Sequence, residues 1–370
     1  MIDSFLNTCV YLFAFVFVLS IVVIVHEWGH FIVARLCGVK VTHFSLGFGR
    51  VLWKRMDKKG TQWQVCLWPL GGYVKMLGDE DAASAKTDET KVPKSERKYM
   101  FMTQPLYKRA AVIFAGPAMN YIFAILLFAG ILFFAGRLVI PPVVGGFLEV
   151  SPARDAGMMV GDRIVKINGI DVKEHEDVVR IVRVTEFGKI LDVEVDRGGE
   201  KVLLKIEPKF YEDHNNMPLL GYQADVSLYT RDTSLGMFAS IAEATKMTAK
   251  ITADTFVYLG QILFTSRDAD GMRGPLGIAE MSGDALKGGL LMLISFVANI
   301  SVAVGFMNLL PIPLLDGGHL FFYLIEAVMR KPLSERVQNA LLWGGMAILF
   351  GLLAFTMYLD VPRIIQRIFE

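Results

Sequence analysis

The chain has 370 residues, 53% hydrophobic and 20% charged, with a mean hydropathy of +0.44; soluble proteins carry about 25% charged residues, so a purely soluble enzyme is disfavoured. Lys and Arg number 38 against 37 Asp and Glu, a formal charge of +1, which leaves no basic field to recruit nucleic acid. The three cysteines, Cys9, Cys37 and Cys66, all precede residue 70, so no later region has a disulfide of its own.

Residues 9–25 form an uncharged, almost wholly apolar run, interrupted only by Ser20, that leads directly into His26. This run and those at 110–135, 288–310 and 340–359 predict four helices, each long enough to cross about 30 Å of hydrocarbon. No basic residue precedes the first run and no small-residue cleavage site follows it, so it reads as a retained span and not as a signal peptide. Arg35, Lys40, Arg50, Lys54 and Arg55 occur with no acid among them, and Lys108 and Arg109 abut the second span. That bias places the 34–109 segment on the cytoplasmic side and both termini outside. Arg330, Lys331 and Arg336 agree, while Arg363 and Arg367 in the tail run mildly against it.

Residues 41–68 alternate apolar and polar around Asp57-Lys58-Lys59-Gly60 and contain Trp53, Trp63 and Trp68, which predicts a membrane-associated β-hairpin. Gly47, Gly49, Gly71 and Gly72 predict tight bends or a re-entrant loop held against protein. Residues 78–98, charged and poor in large apolar groups, read as a linker. Beyond the second span, short β-like runs at Arg163–Ile167, Asp192–Val195 and Lys201–Ile206 are separated by Gly-Asp, Asn-Gly and Gly-Gly, the pattern of a small soluble domain. Residues 236–264 read as a helix whose charges Glu243, Lys246, Lys250 and Asp254 share a face, so it is expected to lie at an interface or pack on a domain instead of spanning.

The first span ends in His26-Glu27-Trp28-Gly29-His30. On a helix the two histidines project from one face, so both imidazoles can reach one Zn²⁺, and the Glu between them is placed to act as base for a metal-bound water. Three ionisable groups at the end of an apolar span are costly unless something binds them. A catalytic zinc generally takes a third protein ligand. His175 and His214 belong to the outer region, whereas the third span ends at Pro311-Ile312-Pro313 just before Asp316 and His319; the prolines stop the helix at the depth of the histidine pair. Asp316 is the preferred third ligand, ahead of His319, Cys37 and His43, although an acid before two glycines also suits a helix N-cap.

Together these residues resemble the site-2 protease family of intramembrane zinc metalloproteases, most closely its bacterial regulator of sigma-E protease branch. The resemblance rests on residues 26–30, on Asn308-x-x-Pro311-x-Pro313-x-x-Asp316-Gly317-Gly318, on Gly116-Pro117-x-x-Asn120, and on Gly47-Phe48-Gly49 and Gly71-Gly72-Tyr73. It implies a single zinc held by His26, His30 and Asp316, with Glu27 as catalytic base. Asn308, Gly47, Phe48 and Gly49 are then expected at the substrate, and Pro311, Pro313, Gly317, Gly116, Pro117 and Asn120 as structural parts of the motifs. Ser151-Pro152-Ala153, Gly161-Asp162-Arg163-Ile164 and Ile167-Asn168-Gly169 are similar to a PDZ domain, a fold that takes an extended peptide along a sheet edge. Well-known members of the branch carry two such domains in tandem; this chain has room for one.

The expected architecture is a four-span polytopic α-helical membrane protein with a membrane-associated hairpin and an inserted soluble α+β PDZ domain. Its divisions are 1–138, a PDZ domain at 139–211, a linker and amphipathic helix at 212–285, and a C-terminal membrane half at 286–370. The resemblance implies intramembrane cleavage of single-span membrane proteins already trimmed outside, such as an anti-sigma factor, and of leftover signal peptides. It also implies peptide ligands for the PDZ domain, lipid around the spans, residence in a bacterial inner membrane, and a site near the cytoplasmic side. Competing readings are an inert scaffold with a structural zinc, a different metalloprotease class using Glu326 as third ligand, and a zinc transporter, which would need more intramembrane acids than the spans offer.

Overall fold

The computed structural model describes residues 2–78, 92–183, 188–211, 217–264, 273–331 and 333–369. Most of the expected linker (residues 79–91) and His214 lie outside the described residues. The chain divides into two compact units, Met1–Ile131 with Met237–Glu370, and Leu132–Gly236.

The first unit opens with α1 (Ile2–Leu36), followed by β1 (Val41–Met56) and β2 (Gln62–Met76), then by α2 (Leu106–Ala135). The hairpin is more elaborate than a simple pair. Residues 51–56 pair with 62–66, and residues 41–46 pair both with 62–65 and with 72–76. Two strands, each bent in the middle, therefore make four segments, and the outermost on one side is 72–76. The bends sit at Gly47 (φ +82°), Gly49 (φ +87°) and Gly71 (φ +125°), a backbone region open mainly to glycine. Trp28, Phe31, Phe44 and Trp63 interlock with ring centroids 4.6–6.1 Å apart, which fastens the near half of the hairpin to α1. Its far half leaves Leu52, Trp53, Met56 and Trp68 exposed, as befits a piece seated at a membrane interface.

The second unit contains β3 (Arg137–Val139), β4 (Val144–Phe147), α3 (Pro152–Asp155), β5 (Arg163–Ile167), β6 (Ile170–Asp171), α4 (His175–Arg183), β7 (Leu191–Arg197), β8 (Glu200–Ile206), β9 (Lys209–Tyr211), β10 (Met217–Leu219), β11 (Tyr222–Ala224) and β12 (Thr230–Asp232). An antiparallel sheet in the order β6-β5-β7-β8 supplies one wall of a core built on Ile164, Ile167, Leu191, Val193, Val195 and Ile206. Val178 and Val182 of α4 close the other side, and Leu220 adds to the core from beyond residue 211. β11 pairs with β4 and β12 with β3, so the PDZ-like α+β unit draws on residues well past 211. Asn168 (φ +49°) and Gly169 (φ +78°) form the tight turn that their pairing predicts.

After this insertion come α5 (Met237–Phe264), α6 (Pro275–Lys287), α7 (Leu290–Leu309), α8 (Asp316–Met329) and α9 (Glu335–Phe369). Four helical stretches among the described residues are long and apolar enough to cross a membrane: Cys9–Leu36, Leu106–Ala135, Leu290–Leu309 and Arg336–Pro362. The chain is a multi-pass membrane protein. α5 is not among the four; it buries Ser240, Ala244 and Thr248, a line of small residues at intervals of four that allows close helix packing. At the other end of the unit Tyr11 donates to Asp284 at 2.8 Å, and the Gly274 and Gly277 N–H groups donate to the buried Asp360 carboxylate. Thus α6 is held between α1 and α9.

Candidate metal centre

The site is assembled where α1, α2 and the start of α8 meet. His26 and His30 are buried, and their Nε2 atoms face each other at 3.2 Å. Asp316 Oδ2 lies 3.0 Å from His26 Nε2 and 3.4 Å from His30 Nε2. The carboxylate and the two imidazoles thus converge from residues nearly 300 positions apart.

The local structure explains how each group arrives. α7 ends at Leu309, two residues before Pro311, which has no N–H to continue a helix. The chain then passes through Leu314 at φ +87°, and Leu315, not Asp316, forms the N-cap of α8, so the Asp316 side chain is free of capping duty. Gly317 and Gly318 sit so close to the Leu309, Leu310 and Ile312 carbonyls that any Cβ would collide with backbone. The two glycines therefore let α8 start directly against the preceding loop. Gly116 has an equivalent reason on α2: a Cβ there would fall 2.8 Å from His26 Nε2 and 2.6 Å from His30 Cε1. Gly29 packs against the Ala115 carbonyl, bringing α1 and α2 close enough for this cradle. Pro117 packs beside Gly305 of α7, and Asn120 O accepts from Ser301 Oγ at 2.9 Å. Both tie α2 to α7.

The donor set fits a metal. His30 Nδ1 donates to the Val112 carbonyl at 2.8 Å, which puts the proton on Nδ1 and leaves the Nε2 lone pair facing the cluster. His26 Nδ1 lies 3.2 Å from the side-chain amide of buried Asn120. Asp316 Oδ2 is buried without a hydrogen-bond donor. Three electron-pair donors aimed at one point repel unless a cation lies between them. With ligand bonds of about 2.0–2.1 Å, tetrahedral coordination separates ligand atoms by about 3.3 Å, close to the 3.0, 3.2 and 3.4 Å found here.

Around the cluster is a cavity of about 350 Å³ whose walls include Glu27, Gly72, Tyr73, Val74, Met76, Asn308 and His319. Glu27 faces this cavity beside Gly72, which leaves room for the Glu27 side chain. Asn308 Nδ2 donates to the Val304 carbonyl of its own helix at 3.0 Å. Gly47, Phe48 and Gly49 do not line this cavity: Gly47 backs onto the Trp68 carbonyl, Gly49 faces the Trp68 ring, and Phe48 stacks on Tyr73 at 6.0 Å. The part of the sheet that reaches the site is the 72–76 edge. Glu326 is paired with Arg109, at 2.6 Å, and is no ligand. His319 lines the cavity but stands outside the three-ligand cluster. Cys37 and His43 are also outside the cluster; His43 lies near Thr42.

A second cavity, of about 330 Å³, belongs to the PDZ-like unit and is lined by Leu148, His175, Val178, Val182, Leu220 and Tyr222 among others. His175 Nδ1 and Tyr222 Oη are 2.8 Å apart. Burial holds the His175 imidazole below its ordinary range and pushes the Tyr222 phenol up, so both are neutral near pH 7 and the pair is an uncharged hydrogen bond.

Two histidines one turn apart, an aspartate from a distant helix and a glutamate between the histidines define a metallopeptidase centre inside a membrane protein. Comparison with known proteins agrees: residues 14–352 match the model of Peptidase family M50, and the chain belongs to that family as a zinc metalloendopeptidase. Similar chains include provisionally named zinc metalloproteases of Agrobacterium fabrum (39% identical over 365 residues, 96% of each chain) and Mesorhizobium japonicum (37% over 370 residues, 96% of this chain and 99% of the relative). Metalloprotease MmpA of Caulobacter vibrioides is 34% identical over 381 residues, 95% of each chain.

Proposed function

We propose that this chain cuts single-span membrane proteins within or at the edge of their membrane segment, with one zinc ion held by His26, His30 and Asp316. The observation that carries the reading is the meeting of Asp316 with the His26–His30 pair beside Glu27, in a cavity of the unit that bears the spans. When bound, zinc supplies Lewis acidity to the scissile carbonyl and to the attacking water. Glu27, which lines the cavity beside the ligands, takes the proton from that water and delivers it to the leaving nitrogen. The 72–76 edge extends the substrate as an added strand, and Asn308 takes hold of its backbone from the opposite wall. Gly47, Phe48 and Gly49 serve this indirectly, by setting the bend of the sheet and backing Tyr73.

On this reading the basic segment around residues 34–109 faces the cytoplasm, the termini and the PDZ-like unit face the periplasm of a bacterial inner membrane, and water reaches the site from inside. The groove between α4 and the 218–223 segment takes an extended peptide; its apolar walls and neutral His175–Tyr222 pair support a ligand with an apolar end. Substrates of this kind include an anti-sigma factor already cut on the outer side and remnant signal peptides.

The test uses purified full-length protein and a single-span substrate. Glu27→Gln is expected to retain one zinc per chain and to bind but not cut the substrate, while Asp316→Ala loses the metal too. Proteolysis by Glu27→Gln at the wild-type rate removes the assignment.

A further inference from the structure

On the cavity wall, away from the three ligands, Arg109 near the start of α2 meets Glu326 of α8. Arg109 Nη2 donates to Glu326 Oε1 at 2.6 Å and Nη1 to Oε2 at 3.4 Å, a fork on a fork, while the guanidinium lies 4.9 Å from the centre of the Tyr323 ring. The Arg109 side chain is 10% exposed and that of Glu326 is 22% exposed. Neither residue has a part in the hydrolysis derived above. Burying an ion pair yields little net stability compared with apolar residues of the same size, and its best-attested use is to fix one arrangement over others.

Its position indicates which arrangement is fixed. Glu326 follows Asp316 by ten residues on the same helix, about 15 Å along the axis. The N-terminal end of α8 has no side-chain cap and is entered through the Leu314 bend, so the direction of the helix needs a hold further along. Arg109 supplies that hold, and it does so from the helix that also sets the histidines: Arg109, Val112, Gly116 and Asn120 recur every three or four residues, one face of α2. The Val112 carbonyl accepts the hydrogen bond from His30 Nδ1, Gly116 makes room for both imidazoles, and Asn120 touches His26.

We infer that Arg109 is a positioning residue which, through Glu326, sets the distance of Asp316 from the histidine pair, so that one face of α2 gauges the whole metal site. The inference rests on the metal-site reading above. It is tested on the detergent-purified full chain by titrating Co²⁺ against a competing chelator and recording the cobalt visible spectrum, with no substrate present. Wild-type protein that binds no Co²⁺ overturns the metal reading itself. Given binding by the wild type, Glu326→Gln and Arg109→Gln are expected to weaken it by at least several-fold, less than the roughly 10–100-fold lost with a direct partner of a ligand, and to shift the visible band. Arg109→Lys keeps the charge but loses the fork, and falls between the wild type and the two glutamine variants. The exchange R109E/E326R is expected to restore most of the lost affinity. Single variants that melt cooperatively and bind Co²⁺ with wild-type affinity and spectrum overturn the inference, and so does an exchanged protein that stays as weak as the singles.

Discussion

Replacing Gly116 by alanine adds one carbon, and the structure says where it goes. The new Cβ lies 2.6 Å from His30 Cε1 and 2.8 Å from His26 Nε2, whereas carbon contacts settle at about 3.5–4.0 Å. Either α2 or the two rings must give way by about 0.9 Å or more. The rings have little freedom, because His30 is tethered to the Val112 carbonyl on the same helix and His26 faces Asn120 four residues further on. Metal sites tolerate departures of about 0.2 Å in ligand distance, so metal affinity is expected to fall by at least about tenfold. Overpacking also lowers stability by about 1–3 kcal/mol. Metal stoichiometry after dialysis against a graded chelator series separates the two effects, since a merely destabilised but intact chain still fills its site below its melting temperature. Gly116→Ala protein that holds one zinc per chain with wild-type affinity would show that the rings are not seated as described.

Two further perturbations test the parts that hold the site. Asp57 in the hairpin turn is raised by burial but pulled further down by the Thr61 N–H and the Arg35 guanidinium, to about 2. A carboxyl depressed on folding stabilises above its unfolded value, near 3.9, and the contribution disappears as pH falls through the folded value. Tryptophan fluorescence of the hairpin should therefore hold from pH 7 to about 4 and change between about 4 and 2, and Asp57→Asn should abolish that acid step. Asp360→Ala strips the Gly274 and Gly277 N–H groups of their acceptor at the start of α6; a loss of about 1–2 kcal/mol is expected from thermal unfolding, with Asp360→Asn closer to wild type.

Much of this site was legible in the sequence because its demands are local. His26 and His30 announce themselves by their spacing on an apolar run, and Pro311 and Pro313 mark a stop that only a helix end explains. What places Asp316 beside them is a tertiary fact, yet membrane depth acts as a coordinate: a helix that ends at a known level leaves few residues able to reach it. Glu326 falls outside the cluster for a different reason: it lies ten residues further along α8 and its charge is taken by Arg109. Nothing in the sequence pairs those two, since 217 residues separate them. Gly47 and Gly49 were visible as bends. Which edge the bends would expose was not, because the two strands fold back on themselves and the choice of the 72–76 segment depends on a register spread over 35 residues. The soluble unit reaches beyond 211 for the same reason: β11 and β12 are three residues each, too short for a periodicity, and are strands only through β4 and β3.

The 72–76 edge, which reaches the cavity, bears on which membrane segments such a protease can open. A helix in lipid gives up its internal hydrogen bonds at several kcal/mol per group left unpaired. Five residues of strand edge turn two or three residues outward, each with one N–H and one C=O, and so return about four to six bonds at most, each worth about 0.5–1.5 kcal/mol net; the cavity beside them offers further partners in Asn308 and Tyr73. The edge therefore repays part of the unwinding and not all of it. The remainder has to come from the substrate, in residues that hold a helix poorly: glycine weakens it by about 1 kcal/mol and proline by about 3. Under the proposed strand addition, selectivity resides in how easily the bound segment loses its helix more than in side-chain pockets.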